Sequence, residues 1–159
     1  MNEGFSPFVF KGSEVLILGS FPSVISRKEG FYYGNPQNRF WKTLSRFFGE
    51  NTPVTTAEKK DFLIAHKIAL YDVYEKSSVK GSADADLNDK TTVKADMGEL
   101  LRDMPNLKGI LCNGKKAYDV FTENYGSYKD ITYRLPSTSG ANPSYDYNEW
   151  EKTLKILLR

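Results

Sequence analysis

The chain has 159 residues, 40% of them hydrophobic and 26% charged, with a formal net charge of +2. That size and balance predict one globular domain with a sizeable core, and the slight basic excess permits a local phosphate-binding patch without demanding a polyanion partner. A lone cysteine, Cys112, excludes an internal disulfide, a lone histidine, His66, leaves zinc sites short of ligands, and neither a signal peptide after Met1 nor a membrane span is legible, so a cytoplasmic location is expected.

In chain order, Glu14 to Gly19 is a continuous apolar run ending in glycine, as expected of a parallel strand covered on both faces. A loop rich in aromatics, turn formers and side-chain amides follows, from Gly30 to Asn38, and runs directly into a helix. Phe40, Leu44, Phe47 and Phe48 fall at helical spacing there, with Gly49 as the stop. Thr55 and Glu58 match a capping box for a second helix through Phe62 and Leu63. Ile68 to Tyr74 reads as the next strand, and the polar stretch Glu75 to Lys94 as a long loop. Met97, Leu100, Leu101 and Met104 make a helical stripe closed by Pro105, Gly109 to Gly114 a third strand, and Ala117 to Tyr125 a helix. Ile131 to Leu135 is a fourth strand, followed by the loop Pro136 to Pro143 and a final helix carrying Tyr147, Trp150, Leu154 and Leu157 on one face.

Strands alternating with helices predict a three-layer α/β/α sandwich around a central, mainly parallel four-stranded sheet. Sites in such sheets lie beyond the carboxyl ends of the strands. The unusual residues sit at those ends: Gly19 to Ser23, Asp72, Asn113 and Ser137 to Asn142. Aromatic faces and amides at that mouth suit a flat heterocycle such as a nucleobase. The loop after the first strand lacks both the spaced glycines of a dinucleotide site and the lysine of a P-loop. A Ser-His hydrolase is the obvious rival, but its only available base, His66, sits at a helix end with no nucleophile elbow nearby.

Gly19-Ser20-Phe21-Pro22-Ser23, Asn38-Arg39-Phe40-Trp41-Lys42 and Leu135-Pro136-Ser137-Thr138-Ser139-Gly140 resemble the uracil-DNA glycosylase superfamily, in the right order and across nearly the whole chain. Within it the chain is most similar to the hypoxanthine-DNA (deoxyinosine) glycosylase branch, with the mismatch-specific G·U/T enzymes as close relatives. The resemblance implies a monofunctional hydrolase that cleaves the N-glycosidic bond of a deaminated base rotated out of DNA. It implies no metal or organic cofactor, no Schiff-base lysine, DNA as partner, and action as a monomer on nucleoid DNA. The loop after the first strand departs from its relatives: the mismatch enzymes hold a water-positioning asparagine in that loop and the classical uracil enzymes an aspartate nearby, whereas position 21 here is Phe, which can do neither. The hypoxanthine branch instead uses the asparagine of the Asn-Arg-Phe-Trp run, here Asn38.

By the same resemblance, Gly19, Ser20, Phe21, Tyr33, Asp72 and Asn113 are expected to bind the base, with Tyr33 as stacking face and Asp72 reading its edge. Ser23, Ser137, Thr138, Ser139, Gly140 and Lys115 are expected to contact DNA, with Lys42 and Lys116 as further phosphate contacts. Asn38 is also placed to cap the helix that begins at Phe40. Uracil or mismatch excision, and a catalytically silent nucleic-acid-binding module, are the alternatives.

Overall fold

In the computed structural model, which describes residues 1–79, 81 and 83–158, the apolar runs become strands and the amphipathic runs helices. The elements are β1 (Asn2–Glu3), β2 (Val15–Gly19), α1 (Val24–Glu29), α2 (Phe40–Phe48), α3 (Thr56–Ala65), β3 (Ile68–Asp72), β4 (Tyr74–Ser77), β5 (Thr92–Lys94), α4 (Gly98–Arg102), β6 (Gly109–Asn113), α5 (Lys115–Asn124), β7 (Thr132–Leu135) and α6 (Tyr147–Leu158). Strands β3, β2, β6 and β7 lie side by side in that order, all parallel, with Gly19 opposite Asp72 and Asn113 opposite Leu135 in register.

Alternation along each strand decides which layer a residue feeds. Val15, Ile17, Ile68, Leu70 and Leu111 point to one face, where α2, α3 and α6 bring Phe40, Trp41, Leu44, Leu63, Trp150 and Leu154. Leu16, Leu18, Ala69, Ile110 and Cys112 point to the other, against Leu101 of α4 and Ala117 and Phe121 of α5. Both faces are covered, which is why these strands carry no polar alternation. The three-layer sandwich and its parallel sheet are as the sequence predicts. Among the described residues no helix is long and apolar enough to cross a membrane.

Local chemistry sets the boundaries. Thr55 accepts from the Glu58 N–H while the Glu58 carboxylate accepts from the Thr55 N–H, so the predicted capping box is complete. Gly49, at φ 68°, ends α2 in the left-handed conformation that a Cβ would oppose.

The predicted strand Ile68–Tyr74 and the predicted loop Glu75–Lys94 both need correction. The parallel strand stops at Asp72, and Tyr74–Ser77 joins a second, antiparallel sheet in the order β1-β4-β5. The Val73 and Tyr74 N–H groups still bond to Gly19 and Ser20 carbonyls, so the departing strand frames the end of β2. A short 3-10 turn at Asp84–Asp86 sits within the same region, from which Lys80 and Ser82 lie outside the described residues. This hairpin is held by backbone pairing, and the polar Glu75-Lys76 stretch carries no apolar alternation to announce it. The short helix α1 has no counterpart among the predicted elements; Ser23 caps it by accepting the Ser26 N–H.

Candidate active site

A cleft of about 690 Å³ opens at the carboxyl ends of β2, β6 and β7, within the size range of small-ligand sites. Its walls come from the loop after β2, the loop before α2, the first residues of α5, and the loop after β7. The hairpin adds Ala83 and Asp84.

Each residue of the Asn-Arg-Phe-Trp run has a separate structural duty. The Arg39 guanidinium donates to the Ser139 and Asn142 carbonyls at 3.2 and 3.3 Å, and its N–H to the Thr138 carbonyl at 2.9 Å, tying the two loops together. Phe40 stacks on Tyr33 with ring centroids 4.0 Å apart. The buried Trp41 indole donates to the Tyr32 carbonyl at 3.0 Å. That leaves Asn38 on the cleft wall.

The Asn38 amide has a defined polarity. Its Oδ1 accepts from the Phe40 N–H at 2.9 Å and from the Thr138 hydroxyl at 2.7 Å. Asn113 Oδ1 accepts from the Thr138 N–H at 2.9 Å, and Asn113 Nδ2 donates to the Thr138 hydroxyl oxygen at 2.9 Å. Backbone N–H groups can only donate, so both amide oxygens are assigned and the Asn38 NH₂ is the end left for the cleft. The expected N-cap role needs correction: Arg39 is the N-cap of α2 and makes no side-chain cap bond. Asn38, one position earlier, accepts the Phe40 N–H and so closes the turn into the helix with its oxygen, leaving its nitrogen for the cleft.

A second corner lies behind these walls. A Cβ on Gly19 would stand 2.6 Å from Asp72 Oδ1 and 2.9 Å from the Tyr33 hydroxyl, so only glycine lets the two converge there. Among the described residues, buried Asp72 Oδ2 and the buried Tyr33 hydroxyl have no hydrogen-bond partner, and the phenol lies beside the Asn113 amide. Burial raises the Asp72 carboxyl from its ordinary 3.8 to about 7, with the Gly19 N–H pulling the other way. Burial, reinforced by Asp72, likewise lifts the Tyr33 phenol above its usual range. Tyr33 holds a left-handed backbone at φ 55°, a strained state for an aromatic residue.

The predicted site residues are thus gathered at one end of the sheet, with several corrections of detail. Thr138 does not face DNA: it is 0% exposed, with its hydroxyl and both its backbone polar groups bonded within the protein. Gly140 is exposed on the cleft wall and also packs closely on Gln37, whose carbonyl a Cβ would meet at 2.8 Å. Gly140→Ala should part the two loops and cost about 1–3 kcal/mol; a thermal melt matching the unsubstituted protein would remove this packing role. Ser23 lines the cleft, but its hydroxyl caps α1 through Ser26. Phe21 is 4% exposed and is mainly core, with an edge on the cleft. Tyr33 and Asp72 are not among the wall residues.

Ser137 and Ser139 wall the cleft, and each hydroxyl accepts a local N–H while keeping its own proton to donate. Lys115 also lines it, paired with Asp119. Lys42 and Lys116 do not. Two further cleft residues, Arg134 and Asp84, carry no signal in the sequence: Arg134 is an exposed cleft cation, and Asp84 accepts the Ser20 hydroxyl at 3.1 Å. His66 precedes β3, at the opposite end of the sheet from the cleft, stacked on Phe48 and 2.6 Å from Glu50. No serine of the cleft can use it as a base. Among the described residues no cluster of three or more His, Cys, Asp and Glu could hold a metal.

Residues 7–157 match the Uracil DNA glycosylase superfamily. The chain belongs to that superfamily. A curated relative from Methanosarcina acetivorans named Hypoxanthine DNA glycosylase is 35% identical over 161 residues, covering 98% of this chain and 99% of the relative. A second of the same name, from Methanosarcina barkeri, is 35% identical over 145 residues, covering 89% and 88%. A solution NMR structure from Methanosarcina acetivorans, described as a candidate uracil DNA glycosylase, superposes with a TM-score of 0.80 at 35% identity, over 99% of this chain and 98% of that one.

Proposed function

We propose that the protein is a DNA glycosylase that hydrolyses the N-glycosidic bond of a deaminated base, hypoxanthine foremost, after the nucleotide has rotated out of the duplex. Two relatives carry the name of that activity across nearly the full chain. The observation that carries the reading into this site is the Asn38 NH₂, held on the cleft wall with its oxygen fully committed.

An amide cannot take a proton, so Asn38 works by positioning. Its NH₂ donates to one lone pair of a water and leaves the other aimed at the anomeric carbon. As the bond from that carbon to the base nitrogen breaks, the base leaves with the electron pair and acquires a proton. The water oxygen bonds to the anomeric carbon and sheds its own proton to solvent. No step calls for a metal or an organic cofactor.

Rotating a nucleotide out of the stack costs a few kcal/mol, which the pocket must offset. Stacking on an aromatic face supplies about 1–3 kcal/mol per base. Tyr33 is that face. In the free protein its phenol occupies the corner over Gly19, and base entry turns it aside. The corner then offers Asp72 Oδ2, buried and unpartnered, to the base edge. A neutral carboxyl both donates and accepts, which matches the O6 acceptor and N1–H donor of hypoxanthine. Ser137, Ser139, Lys115 and Arg134 meet the flanking phosphates.

The edge of uracil offers the same donor and acceptor pair, so the assay must separate the two bases. Oligonucleotides carrying a single hypoxanthine, uracil or ethenocytosine are incubated with the protein and then treated with hot alkali. Strand breaks at hypoxanthine are expected. Breaks at uracil alone would move the assignment to the uracil or mismatch enzymes, and binding with no alkali-labile site would leave a silent binding module.

A further inference from the structure

The geometry points to Thr138 as a positioning residue that locks which end of the Asn38 amide faces the cleft. The inference rests on the reading of Asn38 given above and adds to it the residue that holds Asn38 in place. Thr138 touches neither solvent nor the cleft: it is 0% exposed and not part of the cleft wall.

Its hydroxyl is nonetheless the junction of three side chains. Asn113 Nδ2 donates into the oxygen at 2.9 Å, so the hydroxyl proton has one acceptor left to it, Asn38 Oδ1 at 2.7 Å. The Thr138 N–H holds Asn113 Oδ1 at 2.9 Å, which prevents Asn113 from turning over. The Thr138 carbonyl accepts from the Arg39 N–H at 2.9 Å, so the same residue also fixes the backbone next to Asn38. A reversed Asn38 amide would set its NH₂ against the Phe40 N–H and would leave the Thr138 hydroxyl proton, whose oxygen already accepts from Asn113, without an acceptor in the buried site. Without the hydroxyl only the Phe40 bond would oppose that rotation, and the amide would swing about it. The Asn113 end of the relay explains why an amide stands at the tip of β6. In a buried site, an orientation shared among several bonds holds better than one made by a single bond.

The test compares Thr138→Val, which keeps the volume and removes the hydroxyl, with Thr138→Ser, which keeps the hydroxyl and removes a methyl. Three quantities are read: the single-turnover rate on a hypoxanthine duplex, the dissociation constant for that duplex, and the Asn38 side-chain NH₂ resonances. Those resonances are assigned by their loss in Asn38→Ala. Thr138→Val should slow base release by about tenfold or more with affinity within about twofold, and should shift or broaden the Asn38 resonances. Thr138→Ser should recover both. A packing role would give the reverse order, with serine the worse variant and valine normal. An unchanged rate in Thr138→Val overturns the proposal whatever the resonances do. Should the unsubstituted protein release no base at all, the glycosylase reading fails, and resonances unmoved by Thr138→Val would then also remove the lock.

Discussion

Asn38→Ala should lower the single-turnover rate of hypoxanthine release by about a hundredfold or more, because the water loses the group that aims it. The same substitution should also cost about 1–2 kcal/mol of stability, because the Phe40 N–H at the start of α2 loses its acceptor. The structure alters the simple expectation that an active-site amide is neutral for folding, since its oxygen is part of the helix start. Asn38→Ser separates the two effects. A serine oxygen can still accept the Phe40 N–H, so stability should return while the rate stays low. Denaturant melts and rapid-quench kinetics on the three proteins check this. If Asn38→Ser recovers rate and stability together, Asn38 serves only the helix.

Asp72→Asn should change the shape of the pH profile more than its height. With the carboxyl titrating at about 7, the unsubstituted enzyme should lose activity as pH rises through neutrality. Its side chain then loses the donor that meets O6 and gains a charge beside it. An asparagine donates and accepts at every pH, so the alkaline limb should vanish. Stability follows the same proton. Between pH 3.8 and about 7 the folded protein holds a proton that the unfolded chain has released. Folding stability from this group therefore falls as pH rises across that window and is flat above it. Asp72→Asn should remove that slope and be relatively more stable at pH 8 than at pH 5. Identical pH profiles for rate and for melting in the two proteins would assign Asp72 no role in either.

The legible parts of the chain were those whose chemistry is local or whose burial is complete on both faces. Val15–Gly19 and Gly109–Asn113 read as parallel strands because no polar residue interrupts them. Thr55 and Glu58 announced α3 because a capping box needs only four residues. Asn38 stood out through its neighbours Arg39, Phe40 and Trp41, each of which proves to hold the loop in place.

What stayed hidden depended on partners distant in sequence. Tyr74–Ser77 pairs with Asn2–Glu3 through backbone groups, which leave no pattern in the side chains. Thr138 sits in a run of small hydroxyl residues that reads as a solvated turn. Its bonds to Asn113 and Asn38 span 25 and 100 residues, and only they mark it as interior. Asp84 reaches Ser20 across 64 residues by way of the same unannounced hairpin. The left-handed backbone of Tyr33 was equally invisible, because nothing in the residue type asks for it.

The most direct measurement is a crystal structure with a duplex carrying a 2′-fluorinated deoxyinosine, whose fluorine slows formation of the sugar cation and so preserves the intact nucleotide. The hypoxanthine should lie in the cleft against a displaced Tyr33, its N1 and O6 edge at Asp72, with a water bridging Asn38 Nδ2 and the anomeric carbon at about 3 Å from the amide. A base still stacked in the duplex or lodged elsewhere, with the Asn38 NH₂ turned from the sugar, would contradict it.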